Sequence, residues 1–538
     1  MTKTNRIVLR MLTLLLLTAL FAGCAVPTTP APQASPTAAP TVEQAVAPQA
    51  QGEAVDMDTE IVLAGPRHLA PGEEDAFFNN KILFVWEPLV TQDDSASPMP
   101  ALAESWEMSA DGMEWTFNLR QGVRFHDGEP FNADAVIANF DRMSQEIRPS
   151  RFYPMNFNLF YPNIVSYQKV DEYRFRLVFS EPSPTILYNM VDWGSAIFSP
   201  AGFNEDGTFN GLAQGTGPFR LVENRLDEFV LLERNEDYWG EPARARAIRV
   251  RVIPDADTRF SALRAGEIMG VLDLNAIPAP LAVQIRDTDG FEVSTTQSTM
   301  IRFLIPNGSQ FPLNDVRMRQ AVSLALDRAM IVNELYHGFA TPTTNILNYS
   351  TPFYREFPVD EDMERAIALA REVLGEQRVS MDFMIRGDEP MQRPEAELIA
   401  TWLAEIGLDV NIQPLEIATM RERMREGDFG LARFQQGLSN SEPSTIFRRF
   451  MLTTGDHNQN YSLGYQCDEV DRLMAEADAA LDIAQIREIY YKIQEISTID
   501  LPIIPLFNDK TLIAYSTRLI GYDARVYGVH LPNVGWAQ

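Results

Sequence analysis

The 538-residue chain is poor in the residues that most often carry covalent cross-links or metal ions. It contains two cysteines, Cys24 and Cys467, so it has no disulfide framework of the kind that stabilises small secreted domains. It contains five histidines, and none lies within three to five residues of another. That spacing excludes the HxxH and HExxH patterns of zinc sites.

Motifs for covalent catalysis are also missing. The sequence has no GxSxG elbow and no phosphate-binding P-loop, and Gly215 and Gly217 are too isolated to cradle a phosphate. Cys467 has no histidine nearby in the sequence, and carboxylate pairs such as Asp360 and Glu364 are usual on the solvated face of an acidic protein. The sequence therefore predicts neither an enzyme nor a cofactor.

Positive charge and long apolar runs are scarce. The 45 Lys and Arg residues are outnumbered by 74 Asp and Glu, which gives a formal net charge of −29. Nucleic-acid binding needs clustered Lys and Arg, so this balance argues against it. No internal repeat of about 20 to 50 residues is visible, so a solenoid or propeller is not expected.

The N-terminus has the pattern of a processed export signal. Lys3, Arg6 and Arg10 precede an apolar run at residues 11–21, which is shorter than the about 20 residues that a membrane span needs. The run ends in Leu-Phe-Ala-Gly-Cys, which resembles a bacterial lipobox. We therefore predict a signal peptide at residues 1–23, lipidation of Cys24, and a Pro/Ala/Thr-rich tether that completes the segment 24–57.

Residues 101–140 predict a compact run of local structure. Glu114–Leu119 alternates apolar and polar side chains, which indicates a half-buried strand. Asp111 and Gly112 are typical of a hairpin turn before it, and residues 126–130 (HDGEP) predict a second turn. Asn132 is positioned to cap the helix that follows.

A second region predicts a parallel sheet. Residues 379–385 alternate as a strand, residues 394–406 have the apolar spacing of a helix, and Gly407 marks its end. Residues 408–412 then predict the next strand, so this region is a βαβ unit. Residues 314–337 predict two consecutive helices with a break near Asp327.

Five segments, in this order, resemble the conserved pattern of family 5 solute-binding proteins. That family comprises the extracytoplasmic receptors of oligopeptide, dipeptide and nickel ABC importers. The matching segments are residues 101–140, 215–219 (GTGPF), 235–240 (NEDYWG), 253–267 and 313–328.

The resemblance implies an α/β fold: a two-lobed periplasmic-binding-protein type II fold with an inserted subdomain and a hinge between the lobes. We expect lobe I at residues 58–90, 213–303 and 500–538, the inserted subdomain at 91–212, and lobe II at 304–499. The crossings between lobes are expected near Phe303 and Ile499.

The resemblance also implies the function. It predicts a monomeric, lipid-anchored, extracytoplasmic receptor that binds a small ligand between its lobes and passes it to permease subunits with their ATPases, without a cofactor. The ligand remains open between peptides, metal chelates and short oligosaccharides. A sensory lipoprotein of the same fold, which reports ligand occupancy, is the alternative.

The peptide-binding branch of the family has a W-x-x-D-x-x-D-P pattern whose first Asp holds the ligand's amino group. The matching stretch here, residues 435–443, begins at Gln435, lacks the Trp and has Ser439 or Asn440 in place of the acid. A buried ammonium would lack its charge partner there, unless Glu442 replaces it. We therefore predict that Gln435, Ser439 and Asn440 contact a ligand that need not be a free peptide.

The nickel-chelate branch implies further contacts. A histidine about 15 residues downstream completes the coordination of a chelated metal in that branch, and His457 lies near that place. Arginines after the signature helix hold ligand carboxylates, which here indicates Arg148 and Arg151, with Tyr153 beside them. The aromatic run that contains Phe157 and Tyr161 is interpreted as packing between lobes rather than as a sugar platform.

Overall fold

The structure is a computed structural model that describes residues 56, 59–69, 82–93, 96–145, 157–191, 195–273, 276–437, 442–526 and 528–538. Its strands are β1 (Ile61–Gly65), β2 (Glu87–Pro88), β3 (Val90–Gln92), β4 (Pro98–Pro100), β5 (Ala103–Met108), β6 (Glu114–Leu119), β7 (Ile164–Asp171), β8 (Arg174–Phe179), β9 (Ala196–Ile197), β10 (Phe219–Arg225), β11 (Phe229–Arg234), β12 (Ala247–Val252), β13 (Gly270–Val271), β14 (Phe291–Pro306), β15 (Ala340–Pro342), β16 (Val379–Arg386), β17 (Leu408–Leu415), β18 (Leu431–Gly437), β19 (Ile504–Ser516), β20 (Leu519–Ile520), β21 (Ala524–Arg525), β22 (Gly528–Val529) and β23 (Gly535–Trp536).

The helices lie on both faces of the sheets. They are α1 (Ala133–Ser144), α2 (Phe157–Phe160), α3 (Ile186–Met190), α4 (Ala256–Arg264), α5 (Ala279–Arg286), α6 (Val316–Ala325), α7 (Arg328–Met330), α8 (Met363–Leu374), α9 (Gln392–Glu405), α10 (Ile417–Glu426), α11 (Ser444–Phe450), α12 (Asp456–Asn460), α13 (Asp468–Ala479) and α14 (Ile483–Asp500). A π-helical turn, Ile331–Leu335, continues α7. Among the described residues, none of these helices combines the length and apolarity needed to cross a membrane.

One eleven-stranded sheet runs through the molecule in the order β10-β11-β12-β1-β13-β19-β14-β18-β16-β17, with β15 beside β19. We call the part built on β10, β11, β12, β1 and β13 lobe I, and the part built on β18, β16 and β17 lobe II. A separate four-stranded antiparallel sheet, β5-β6-β8-β7, forms what we call the subdomain.

Two long strands, β14 and β19, join lobe I to lobe II. They pair antiparallel from Phe291 to Leu304, but the register shifts between Gln297 and Ile301. Beyond that shift β14 also pairs with β18 of lobe II, opposite Met300 to Pro306. The backbone between the lobes is therefore a two-stranded ribbon with an irregular ladder at its middle, where bending is easiest.

Hydrophobic cores are separate on the two sides of this ribbon. The subdomain has its own core around Phe117, Phe140 and Phe175. The cores around Phe447 and Met474 and around Phe383 and Ile399 belong to lobe II, on opposite faces of its sheet. Other core clusters lie in lobe I. Each part can therefore bury its apolar surface by itself.

The local predictions for residues 101–140 are confirmed. Glu114–Leu119 is β6, and its buried side chains alternate with partly exposed ones. Gly112 occupies the hairpin turn with a φ of +71°, a conformation that glycine adopts without steric cost. The Asn132 side chain accepts a hydrogen bond from the Ala135 amide at 3.1 Å, which caps α1.

The βαβ unit in lobe II is also confirmed. β16 and β17 pair parallel, α9 connects them, and Gly407 follows α9 with a φ of +85°. The Asp327 side chain accepts from the Met330 amide, so the break between α6 and α7 is a new helix start. The second crossing strand, β19, begins at Ile504, after α14 has ended at Asp500.

Candidate functional site

A cavity of about 690 Å³ lies where lobe I meets the subdomain. This volume is within the usual range of small-molecule sites, roughly 300–1,000 Å³. Ser350, from a loop of lobe II, also lines it. The aromatic lining residues are Phe84, Trp86, Tyr238 and Trp239. The charged ones are Glu87, Asp93, Glu241, Arg244 and Arg525. The wall thus combines apolar rings with groups of both charges.

One carboxylate, that of Glu87, organises the inner wall of the cavity. The Tyr238 hydroxyl donates to its Oε1 at 2.7 Å, and the Trp239 indole N–H and the Thr216 hydroxyl donate to its Oε2 at 2.8 and 2.7 Å. Burial raises the pKa of Glu87, and the three donors oppose that rise. Arg120 lies over the Trp239 ring, 4.5 Å from its centroid. Motif residues far apart in the sequence therefore meet at one carboxylate.

His126 joins the subdomain to the glycine-rich turn of lobe I. Its Nε2 donates to the Gly217 carbonyl at 3.0 Å, and its Nδ1 accepts from the Gly215 amide at 3.3 Å. Burial lowers the pKa of His126 to about 4, so the ring is neutral at pH 7 and can accept that hydrogen bond. A side chain added at Gly215 would collide with the Val85 carbonyl, which explains the glycine.

Changing Tyr238 to Phe should lower the free energy of unfolding by about 1.5–3 kcal/mol, because it removes a hydrogen bond to a buried carboxylate. Urea unfolding followed by circular dichroism measures the change. Tyr167→Phe is the matched control, since the Tyr167 hydroxyl donates at 2.7 Å to Asp141 at an exposed position. The control should unfold at the same urea concentration as the parent. Equal midpoints for the two variants would contradict the role of Glu87.

Gln435 lies on β18 outside this cavity, in a charged cluster on one face of the lobe II sheet. Its amide donates to Glu389 at 2.9 Å, and its Oε1 is buried without a hydrogen-bond partner among the described residues. Glu389 also accepts from Arg386 at 2.7 Å. Arg302 of β14 binds Asp509 of β19 through bonds of 2.6–3.1 Å. Burial alone would lower the pKa of Arg302, but Asp509 raises it above its usual value.

His457 lies on the other face of the same sheet, among aromatic rings. Its ring centroid is 4.8 Å from that of Phe450 and 4.7 Å from that of Tyr461. Tyr461 in turn contacts Phe434, whose side chain points away from the face that carries Gln435. Burial lowers the pKa of His457 to about 4. The structure therefore does not bring His457 and Gln435 together, and their contact with a ligand stays a prediction.

The other predicted contacts, Arg148, Arg151, Tyr153, Ser439 and Asn440, lie outside the described residues, as does Cys24. Glu442, the possible replacement for the missing acid, is buried, and its carboxylate accepts hydrogen bonds from Ser444 and Tyr490. The Glu442 carboxylate is therefore already hydrogen-bonded within lobe II.

The interpretation of the aromatic run as packing between lobes is wrong for Phe157 and Tyr161. Both rings pack on Phe140 inside the subdomain, at centroid distances of 6.1 and 4.9 Å. Their spacing of four residues places them on one face of a helical turn, directed to the nearest core. No group of three or more metal-ligating side chains occurs among the described residues.

Sequence reasoning missed Glu87 as the centre of the wall. The available signal was an acidic residue inside an otherwise apolar run, residues 81–90, since a charge in such a run must find partners when it is buried. Such an apolar run is typical of a buried helix or strand, but its described part consists mostly of turns and bends with the short strand β2 and the start of β3. Ser350 carried no signal, because neutral polar residues in a loop have no characteristic spacing.

Comparison with known proteins places this architecture. Residues 97–458, more than half of the chain, match the family described as bacterial extracellular solute-binding proteins, family 5. The chain is 28% identical over 462 residues to heme-binding protein A of Haemophilus influenzae, which covers 80% of this chain and 82% of that protein. It is 27% identical over 399 residues to the nickel-binding periplasmic protein of Escherichia coli strain K12, covering 69% and 74% of the two chains.

Solved structures agree in fold. HbpA2 from Haemophilus parasuis superimposes with a TM-score of 0.78 at 24% identity, covering 89% of this chain and 100% of that one. The two-lobed periplasmic-binding-protein type II fold with its inserted subdomain, expected from the sequence, is thereby confirmed.

Proposed function

Because the chain belongs to family 5 of the bacterial extracellular solute-binding proteins, we propose that it captures a small solute between its lobes and delivers it to an ABC import permease. The observation that carries this proposal is the cavity of about 690 Å³, whose wall combines lobe I, the subdomain and Ser350 of lobe II. A site lined from several parts of the chain is closed and opened by their relative motion. Binding and release then need no covalent chemistry.

The boundaries that fit this motion are those expected from the sequence. Lobe I would comprise residues 58–90, 213–303 and 500–538, the subdomain 91–212, and lobe II 304–499. Distinct core clusters centred on these three parts support the division, although Ala196 and Phe198 of the 91–212 segment pack into the lobe I core. The register shift between β14 and β19 supports a hinge close to Gln297 and Ile301.

The solute is of the peptide-like or metal-chelate class. Aromatic rings and charges of both signs in the wall suit a ligand that is partly apolar and carries ionised groups. Relatives named for heme and for nickel agree with that breadth. The further proposed ligand contacts are Arg148, Arg151, Tyr153, Gln435, Ser439, Asn440 and His457, the last through a chelated metal.

One backbone connection supports the proposed contacts of Ser439 and Asn440. Ser350 donates to the Ser298 carbonyl at 2.7 Å, and Met300, two residues further along β14, pairs with Gly437. Gly437, at the end of β18, therefore lies close to the strand that holds the Ser350 edge of the cavity. Ser439 and Asn440 are two and three residues from that point.

The family and the N-terminal sequence support a proposed cellular setting. The protein acts outside the cytoplasmic membrane as a monomer, with a lipid on Cys24 as its anchor and residues 25–57 as its tether. Its partners are two permease subunits and their ATPases. A lipid anchor on an extended, semi-rigid tether, as the Pro/Ala/Thr-rich composition predicts, would hold a receptor near its permease.

The proposal is tested by ligand screening with the purified chain. A panel of a tripeptide with a free amino terminus, reduced glutathione, nickel–histidine and hemin is added, and thermal unfolding and native mass spectra are recorded. A ligand at 100 times its Kd stabilises by about 2.7 kcal/mol, so at least one compound should raise the Tm clearly.

A cavity-filling variant locates the binding. Thr91→Trp places a large ring at the cavity wall on β3 and should abolish the shift. Val165→Trp is the control, because Val165 is exposed on β7 and does not line the cavity. Loss of the shift in both variants, or in neither, would contradict binding in this cavity.

A further inference from the structure

At two places among the described residues, side chains join the subdomain to lobe II beside the cavity. The Tyr188 ring of α3 meets the Phe353 ring of lobe II edge to face, with centroids 5.1 Å apart. The second contact is between Leu481, in the joint between α13 and α14, and the hairpin turn at Gly112. A Cβ atom at Gly112 would lie 2.5 Å from Leu481 Cδ2, so the leucine rests on the glycine backbone.

On the subdomain side, the two contact points, Gly112 and Tyr188, lie on segments that are hydrogen-bonded to each other. The Ser183 amide donates to the Gly112 carbonyl at 3.0 Å, which ties the hairpin turn to the segment that leads into α3. The Trp115 indole N–H donates to the Ser183 carbonyl at 3.0 Å. Ile186 and Leu187 of α3 are buried in the subdomain core. The subdomain core therefore fixes one face of α3, and Tyr188 extends from this helix to contact Phe353.

On the lobe II side, the contact points are anchored to the core. Phe353 packs on Tyr490 of α14, with ring centroids 6.1 Å apart. The Asp482 side chain caps α14 by accepting from the Ala484 amide at 2.8 Å, directly after Leu481. Burial raises the pKa of Tyr188, and Arg487 of α14 opposes that rise, which places a lobe II charge within electrostatic reach of the ring.

The loop at residues 348–354 connects these contacts to the cavity and to the crossing strand. Asn348 donates to the Thr299 carbonyl at 2.8 Å, and Ser350 donates to the Ser298 carbonyl at 2.7 Å. Both carbonyls lie in the register shift of β14, where ladder bonds to β19 are interrupted. Ser350 lines the cavity, and Phe353 is three residues further along. One loop therefore contacts the hinge, the cavity and the subdomain.

The contacts are small enough to break and re-form. The subdomain core and the lobe II core are separate clusters and do not merge across this boundary. Phe353 has a φ of +60°, a left-handed conformation that is unfavourable for a residue with a side chain and is kept by its surroundings. A few apolar contacts between independently packed bodies are typical of surfaces that move against each other.

We propose that Tyr188–Phe353 and Gly112–Leu481 form a closure latch, which holds the subdomain against lobe II and is coupled through the 348–354 loop to the hinge and the cavity. This inference rests on the proposed function, because it concerns the closing of the same site. The latch sets how much of the protein is closed before any solute is bound, and thereby the apparent affinity for every solute.

The test measures the distance between the two bodies directly, without a ligand. In the full chain with Cys24→Ser and Cys467→Ser, nitroxide labels are placed at Val165→Cys of the subdomain and Ile499→Cys of lobe II, which are 64% and 54% exposed. Electron–electron double resonance then gives the distance distribution. Tyr188→Ala and Leu481→Ala are each compared with the parent. Tyr188→Phe, which keeps the ring, and Leu226→Ala, an exposed leucine on lobe I, are the controls.

We expect the parent to show a short-distance population that Tyr188→Ala and Leu481→Ala each reduce, with a change of about tenfold in the ratio of short to long distances. The two controls should match the parent. Circular dichroism verifies that each variant is folded, and because the two alanine variants lie on different elements, one suffices if the other unfolds. Distributions that coincide in all variants, or a parent without the short population, would overturn the latch.

This outcome is independent of ligand screening. A panel without any bound compound would contradict the proposed function and leave the distance change intact. A bound compound with unchanged distances in the alanine variants would retain the function and remove the latch.

Discussion

Replacing Arg433 by Met is expected to lower the free energy of unfolding by about 3–5 kcal/mol, because it leaves a carboxylate buried without its counter-charge. Arg433 and Glu395 are both fully buried, and their side chains are joined by a bond of 2.6 Å. Arg433 also donates to the Phe434 carbonyl at 2.7 Å, and the Tyr336 hydroxyl donates to Glu395. Methionine fills much of the same space but supplies neither charge nor donor.

A second substitution distinguishes the effect of the unpaired charge from the effect of lost side-chain packing. Glu395→Gln in the Arg433→Met background removes the buried charge and keeps an acceptor for Tyr336, so it should recover at least half of the lost stability. The control is Arg378→Met, since Arg378 forms a bond of 2.5 Å to Asp409 on the surface of the same lobe, with both side chains half exposed. Its urea midpoint should equal that of the parent. If the double variant is no more stable than Arg433→Met, the unpaired charge is not the cause.

The stability of the protein should fall as the pH drops from about 6.5 towards 4. Burial holds the pKa of both His126 and His457 at about 4, below the ordinary value of 6.5. Between these values the unfolded chain binds protons that the folded chain does not, so acid favours unfolding. Each histidine contributes up to about 1.4 kcal/mol per pH unit, or about 3 kcal/mol over the window as an upper bound.

Urea unfolding at a series of pH values measures this slope, and variants assign it. His457→Phe keeps an aromatic ring between Phe450 and Tyr461 and should flatten the curve by the share of one histidine. His126→Gln should do the same, on a lower baseline, because it loses the bonds to Gly215 and Gly217. Carboxylates contribute equally to all variants and cancel in the differences. Curves that run parallel to the parent between pH 4 and 6.5 would contradict neutral, buried histidines.

The sequence predicted best those elements whose signals are local. β6, the Asn132 cap and the glycine ends of the hairpin and of α9 follow from periodicity, capping and turn chemistry over a few residues. Their neighbours along the chain are sufficient to determine them. The family pattern then supplied the arrangement of the lobes, which local signals do not contain.

The candidate site was predicted poorly, because its members are brought together by long-range contacts. Glu87 accepts hydrogen bonds from residues more than 120 positions away, and Ser350 reaches the cavity through a bond to β14. Gln435 and His457 were predicted from neighbouring segments as ligand contacts. Strand alternation directs Gln435 to one face of the lobe II sheet, whereas His457 of α12 packs on Phe450 and Tyr461 at the other face. Separation in sequence gives no information about which face a loop residue will reach.

The pairing of β14 with β19 limits the ways in which this molecule can signal. The two strands are hydrogen-bonded to each other on both sides of their register shift, which opposes separation or sliding of the lobes. We infer that the lobes move against each other mainly by rotation at the interruption. Solutes of different chemistry would therefore all produce the same closed angle between the two lobes. A transporter that recognises this angle would not have to contact the solute. Receptors with different pockets could therefore share one transporter.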